Sequence, residues 1–129
     1  MSPSPQPMSK RVLIVDDNAM NLELASFLLE AAGCDVHGAH DVPSARQVLH
    51  RHAPDLVLLD IQLPGVDGLS FVSELKADER WQALPVVAFT AYAMKGDEQK
   101  MRAAGCDGYI AKPIDVGQFA RQVLNFLPG

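Results

Sequence analysis

The sequence predicts an α/β fold: a doubly wound parallel sheet of five strands, covered by helices on both faces. Three observations predict it. Apolar runs of strand length alternate with segments of helical periodicity, and the connections between them are mostly short. The strands are also continuously apolar, as strands buried on both faces are, rather than alternating. Right-handed crossovers then place helices on either side of the sheet.

The elements follow in chain order. Residues 1–9 hold three prolines and three serines and no aromatic side chain, so they are expected to be a disordered lead-in to one domain over 10–129. Val12-Leu13-Ile14-Val15 is the first strand. Met20, Leu24, Phe27, Leu28 and Ala31 then recur at helical spacing, and Gly33 suits the residue just past a helix end. Val36 to Ala39 is a weaker second strand. Asp41 is placed to cap the next helix, with Pro43 tolerated in its first turn and Ala45, Val48 and Leu49 as its apolar stripe. Leu56-Val57-Leu58-Leu59 is the third strand, and residues 63–68 are a loop in which Asp67 caps a helix carrying Leu69, Val72 and Leu75.

Val86-Val87-Ala88-Phe89 is the fourth strand. The helix expected from Met94 to Ala104 has a thin apolar stripe and a glycine, Gly96, and therefore a weak hold on the core. After the short strand Tyr109-Ile110-Ala111, Asp115 is expected to cap a final helix. Its apolar stripe would be Val116, Phe119, Ala120, Val123, Leu124 and Leu127, with no second domain beyond.

Composition narrows the function. A chain of 129 residues with a formal charge of -5 lacks the basic footprint that general attraction to nucleic acid needs. No apolar run approaches the roughly 20 residues of a membrane span, and the proline-rich start has no secretory apolar centre. A cytoplasmic protein without membrane contact is expected.

Chemistry gathers at the strand ends. The first strand runs into Asp16-Asp17, the third into Asp60, the fourth into Thr90 and the fifth into Lys112-Pro113. In an open parallel sheet these C-terminal ends share the edge where ligands bind, so three carboxylates, a hydroxyl and an amine would converge there.

These residues resemble the receiver domain of bacterial response regulators. The local wording agrees: Val12-Leu13-Ile14-Val15-Asp16-Asp17-Asn18, Asp60-Ile61-Gln62-Leu63-Pro64-Gly65-Val66-Asp67-Gly68, and Ala104-Gly105-Cys106-Asp107-Gly108-Tyr109-Ile110-Ala111-Lys112-Pro113. The similarity spans nearly all of 10–127. It implies a flavodoxin-like (βα)5 sheet of order 2-1-3-4-5. It also implies that Asp60 accepts a phosphoryl group from a phosphohistidine. Mg²⁺, or Mn²⁺ in its place, would be held by Asp16, Asp17, Asp60 and the main-chain carbonyl of Gln62. Lys112 would pair with the phosphoryl oxygens, and its bond to Pro113 would be cis. Thr90 and Tyr109 would be the switch pair, and Gln62 and Tyr92 would flank the entry of attacking water.

The implied partners are a sensor histidine kinase or histidine phosphotransfer protein, and a downstream protein docking on the fourth helix, fifth strand and fifth helix of a monomer. A phosphate shuttle, or a receiver excised from a hybrid kinase, is the alternative. An aspartyl-phosphate phosphatase or phosphotransferase fits less well, because Gln62 stands where such an enzyme needs a second acid. Catalysis is thus expected to be self-directed only.

Plainer readings apply elsewhere. Asp41 and Asp67 are helix caps. Tyr109 could be a mere edge aromatic, and Trp81 reads as a loop aromatic packed on the sheet edge. His37, His40, His50 and His52 lack a metal-ligand pattern and are expected to be solvated. With the implied strand order, Cys34 and Cys106 precede opposite edge strands about 19 Å apart. That is too far for a disulfide.

Overall fold

The computed structural model describes residues 10–63, 67–91 and 95–127. The lead-in expected over 1–9, the centre of the loop at 64–66, and the expectations placed on Tyr92 and Met94 lie outside the described residues. Five strands alternate with five helices: β1 (Arg11–Val15), α1 (Ala19–Ala31), β2 (Asp35–Ala39), α2 (Val42–His52), β3 (Leu56–Asp60), α3 (Gly68–Ala77), β4 (Val86–Thr90), α4 (Lys95–Ala104), β5 (Gly108–Ala111) and α5 (Phe119–Leu124). The strands form one sheet in the order β2-β1-β3-β4-β5, and every pairing is parallel.

Strand alternation sorts the core into two layers. Leu13, Val15, Val57, Leu59, Val86 and Ala88 face α2, α3 and α4, which bury Ala45, Leu49, Phe71, Val72, Leu75 and Met101 against them. Val12, Ile14, Leu56, Leu58, Val87 and Phe89 face α1 and α5, which contribute Ala25, Leu29, Phe119 and Val123. Both layers are apolar and buried, which is why β3 and β4 are apolar on successive residues.

Asp41 and Asp67 cap α2 and α3 as expected, accepting hydrogen bonds from the amides of Ser44 and Leu69. Trp81 is half-buried against the first core layer. Three expectations change. On α1 most of the expected stripe faces outward: Met20 is 81% and Phe27 66% exposed and Leu24 is exposed too, while Leu28 packs against the core beside the buried Ala25 and Leu29. Asp115 does not cap α5. Its carboxylate accepts from Gly117 N, the helix begins at Phe119, and Val116 and Leu124 are exposed. The histidines are not all solvated either, since His37 and His52 stack with ring centroids 3.9 Å apart and His37 lies 3.4 Å from Asp35.

Both cysteines are free and buried, and they sit in different core layers on opposite faces of the sheet. Burial and the neighbouring Asp107 push the Cys106 thiol up to about 11, so it stays protonated and unreactive at neutral pH.

Candidate functional site

Strand register assembles the site. Val15 pairs with Leu59, so the next residues, Asp16 and Asp60, leave adjacent strands side by side. Asp16 N donates to Ala39 O, which holds this corner against β2. Phe89 pairs with Asp60 from β4, and Thr90 with Ala111 from β5. The amide of Lys112 donates to Thr90 O, bringing the lysine to the same edge. The Lys112–Pro113 bond is cis.

Asp16 and Asp60 are braced alike. Each offers Oδ1 to the amide two residues on, Asn18 N at 2.8 Å and Gln62 N at 2.8 Å. Lys112 Nζ spans their other oxygens, 3.1 Å from Asp60 Oδ2 and 3.0 Å from Asp16 Oδ2. The ammonium also lies 4.9 Å from the centroid of the Phe89 ring, within cation–π range. Asp17 completes the group from the solvent side, and one carboxylate oxygen from each of Asp16, Asp17 and Asp60 lies within 4.8 Å of the others.

The electrostatics are unbalanced. Asp16 and Asp60 are buried, and three carboxylates face one lysine. Burial raises Asp16 above the ordinary carboxylate range, more than the Asn18 amide and Lys112 lower it. Burial also works to lower Lys112, but the Asp16 and Asp60 carboxylates outweigh it and hold the ammonium above its usual value.

A divalent cation fits here. Asp16 Oδ2 is buried without a hydrogen bond, because its contact with Lys112 is an ion pair lacking hydrogen-bond geometry. A buried carboxylate oxygen that shares one ammonium with a second acid, in a group of three acids, is a ready ligand for a hard, oxygen-seeking cation.

Thr90 is buried, and alternation along β4 and β5 puts Thr90 and the half-buried Tyr109 on the same face of the sheet. The Gln62 side chain is exposed at the rim.

Two features escaped the sequence reading. Asn18 caps α1 through Asn21 N at 3.0 Å while its own amide holds Asp16. The polar Asn18 just before a helical pattern was a signal for that cap. The second is a shallow groove along the outer side of α1, lined by Met20, Leu24 and Phe27 and rimmed by Glu23 and Glu30. Its first lining residue, Met20, follows Asp17 by three positions in the chain.

A family profile described as the response regulator receiver domain matches residues 12–124. The polar-differentiation response regulator DivK of Brucella ovis is 44% identical over 120 residues, covering 93% of this chain and 98% of that protein. The receiver domain of the sensor histidine kinase PA1611 from Pseudomonas aeruginosa, which holds a magnesium ion in its active-site cleft, superposes with a TM-score of 0.80. It is 30% identical, over 92% of this chain and 97% of that one. The chemotaxis response regulator CheY4 of Vibrio cholerae shares the fold at a TM-score of 0.86 and 24% identity, over 92% and 99% of the two chains.

Proposed function

Because the chain belongs to the response regulator receiver family, we propose that Asp60 is its phosphoacceptor and that Mg²⁺ assists the transfer. The observation that carries this reading is the pocket: Asp16, Asp17 and Asp60 gathered within 4.8 Å, with Lys112 bridging two of them. The donor is a phosphohistidine of a sensor kinase or histidine phosphotransfer protein. An Asp60 oxygen attacks phosphorus, the new P–O bond forms as the P–N bond breaks, and the electron pair returns to the imidazole nitrogen.

Each neighbour has a task in that step. The Gln62 amide and Lys112 fix the Asp60 carboxylate so that little motion separates it from the attacking geometry. Lys112 can transfer its hydrogen bond from Asp60 to a phosphoryl oxygen and neutralise charge there. Mg²⁺ on Asp16, Asp17, Asp60 and the Gln62 carbonyl would offset the remaining negative charge. The catalysis is self-directed, and Mn²⁺ is expected to substitute.

The phosphoryl group adds charge of about -1.5 to -2 and new acceptor oxygens. Thr90 donates its hydroxyl to one of them, and the half-buried Tyr109 ring on the same face turns inward. α4 yields readily, since Met101 is the one fully buried side chain among its described residues. The downstream target then reads the α4-β5-α5 face, in the manner of a phosphorylation switch.

The donor docks elsewhere, on the exposed apolar side of α1. That face begins three residues after Asp17 in the chain, and its acidic rim suits a partner with basic residues around an apolar stripe. The chain works in the cytoplasm as a monomer. Among the described residues no helix is long and apolar enough to cross a membrane.

Intact-mass spectrometry after incubation with Mg²⁺ and acetyl phosphate tests the site. One phosphoryl adduct is expected on the wild type and none on Asp60→Asn; an adduct on the variant would place the acceptor elsewhere. The double variant Met20→Ser/Phe27→Ser should keep that adduct but accept phosphoryl from its phosphorylated kinase more than about tenfold more slowly. Equal loss with both donors would remove α1 from the docking face.

A further inference from the structure

We propose that Asn18 is a positioning residue that couples the acid pocket to the first turn of α1, so that cation binding and ordering of that turn reinforce each other. This rests on Asp16, Asp17 and Asp60 being the cation ligands.

Asn18 makes three bonds that point two ways. Its amide donates to Asp16 Oδ1 at 2.8 Å. Its side-chain oxygen accepts from Asn21 N at 3.0 Å and its carbonyl from Leu22 N at 3.0 Å, and these two open α1. The residue itself is in extended conformation, with φ -84° and ψ 112°. Its side-chain bond therefore does more than cap a helix: it fixes the backbone angles that aim the Asn18 amide at Asp16.

Asp16 depends on that aim. Its Oδ1 is held by Asn18, while its buried Oδ2 makes no hydrogen bond and has only the Lys112 ion pair. Release of the cap would fray the first turn and let the amide leave, and Asp16 would then have to be re-ordered whenever a cation binds. Linkage makes the effect reciprocal: a cation that fixes Asp16 also fixes Asn18, and through it the turn that carries Met20.

The residue type supports this. Asp caps helices as well as Asn and is further favoured by the helix dipole. Beside Asp16, Asp17 and Asp60, however, a fourth carboxylate would add repulsion, and the neutral amide avoids it.

The test uses the full chain and three variants. Asn18→Ala removes the cap, Asn18→Ser keeps a capping oxygen, and Gln47→Gly weakens α2 on an exposed turn without changing charge or touching the pocket. Mg²⁺ affinity is measured by calorimetry at fixed ionic strength, and amide hydrogen exchange is followed at Asn21 and Leu22. Asn18→Ala should bind Mg²⁺ about fivefold more weakly. Asn18→Ser and Gln47→Gly should stay within about twofold of wild type, inside the range of a weakly coupled substitution. Mg²⁺ should slow exchange at Asn21 and Leu22 in the wild type and not in Asn18→Ala.

Wild-type affinity in Asn18→Ala, or equal weakening in Gln47→Gly, would overturn the coupling while leaving the pocket reading intact. A wild type that takes up no Mg²⁺ would overturn the pocket reading first, and the acetyl phosphate adduct reports on that separately.

Discussion

Lys112 holds together two acids that would otherwise repel. Its ammonium reaches Asp16 and Asp60 at 3.0 and 3.1 Å, and its side chain is only 16% exposed. Lys112→Met would leave Asp16 and Asp60 buried with no cation between them. Removing one partner of a buried pair is costly, and a loss of up to about 3 kcal/mol is expected here, limited because Asp16 can take up a proton instead. Urea denaturation at neutral pH checks this, and millimolar Mg²⁺ should restore part of the loss. No recovery with Mg²⁺ would mean that the carboxylates do not share a cation. At this scale the sequence was informative about side chains and nearly silent about backbone. Asp16, Asp17, Asp60, Thr90 and Lys112 carry rare chemistry at strand ends and can be read directly. The amides of Asn18 and Gln62 that orient the two buried acids cannot, because almost every residue has such a group.

Helices were placed correctly more often than they were oriented. α1 has two apolar stripes, and periodicity cannot say which one is buried. The outward one is Met20, Leu24 and Phe27, while the inward one is Ala25 and Leu29 with Leu22 and Leu28 packed beside them. Substitution separates them. Met20→Ser/Phe27→Ser should change folding stability by less than about 1 kcal/mol, whereas Leu29→Ala should cost 2 kcal/mol or more, on the order of other core truncations. Comparable losses would place both stripes in the core. For α5 the misleading signal was Asp115, whose carboxylate closes a local turn with Gly117 instead of a helix. Gly68 is a constraint of another kind. A Cβ there would lie 2.5 Å from Ile61 Cα, where the α3 start returns to the strand that carries Asp60 and donates its amide to Ile61 O. Gly68→Ala must push that loop away and should cost about 1–3 kcal/mol. A denaturation midpoint equal to wild type would show that the loop gives way freely.

Across the whole molecule, parallel topology explains both what was legible and what the pocket costs. Alternating strands and helices read as a doubly wound sheet from pattern alone, while the order 2-1-3-4-5 came only with the family resemblance, since neither charge nor periodicity says which strands are neighbours. That order puts β1 beside β3, and Asp16 beside Asp60, on an edge where burial makes ionised Asp16 unfavourable. A carboxyl whose pKa is raised in the native state binds its proton more tightly there than in the unfolded chain. Its contribution to stability therefore falls as pH rises from the ordinary Asp value near ~3.9 up through the native one. Asp41, Glu74 and Asp78 work in the opposite direction. Hydrogen bonds from the side chain and amide of Ser44 to Asp41, and from the side chains of Arg46 and Arg80 to Glu74 and Asp78, lower their pKa values, so their stabilisation is lost on acidification. The difference between wild type and Asp16→Asn isolates Asp16 from these. Without Mg²⁺ the two should be equally stable near pH 3 and diverge as pH rises, with Asp16→Asn the more stable at pH 7. Mg²⁺ should then close the gap at pH 7, by engaging the ionised wild-type carboxylate, and should have little effect near pH 4, where protons compete for the same oxygens. Denaturant titrations from pH 3 to 8, with and without Mg²⁺, decide the matter. An Asp16→Asn protein less stable than wild type at pH 7 without the cation would show that Asp16 stabilises the fold by its pairing with Lys112, and that the pocket is not held in tension for a metal.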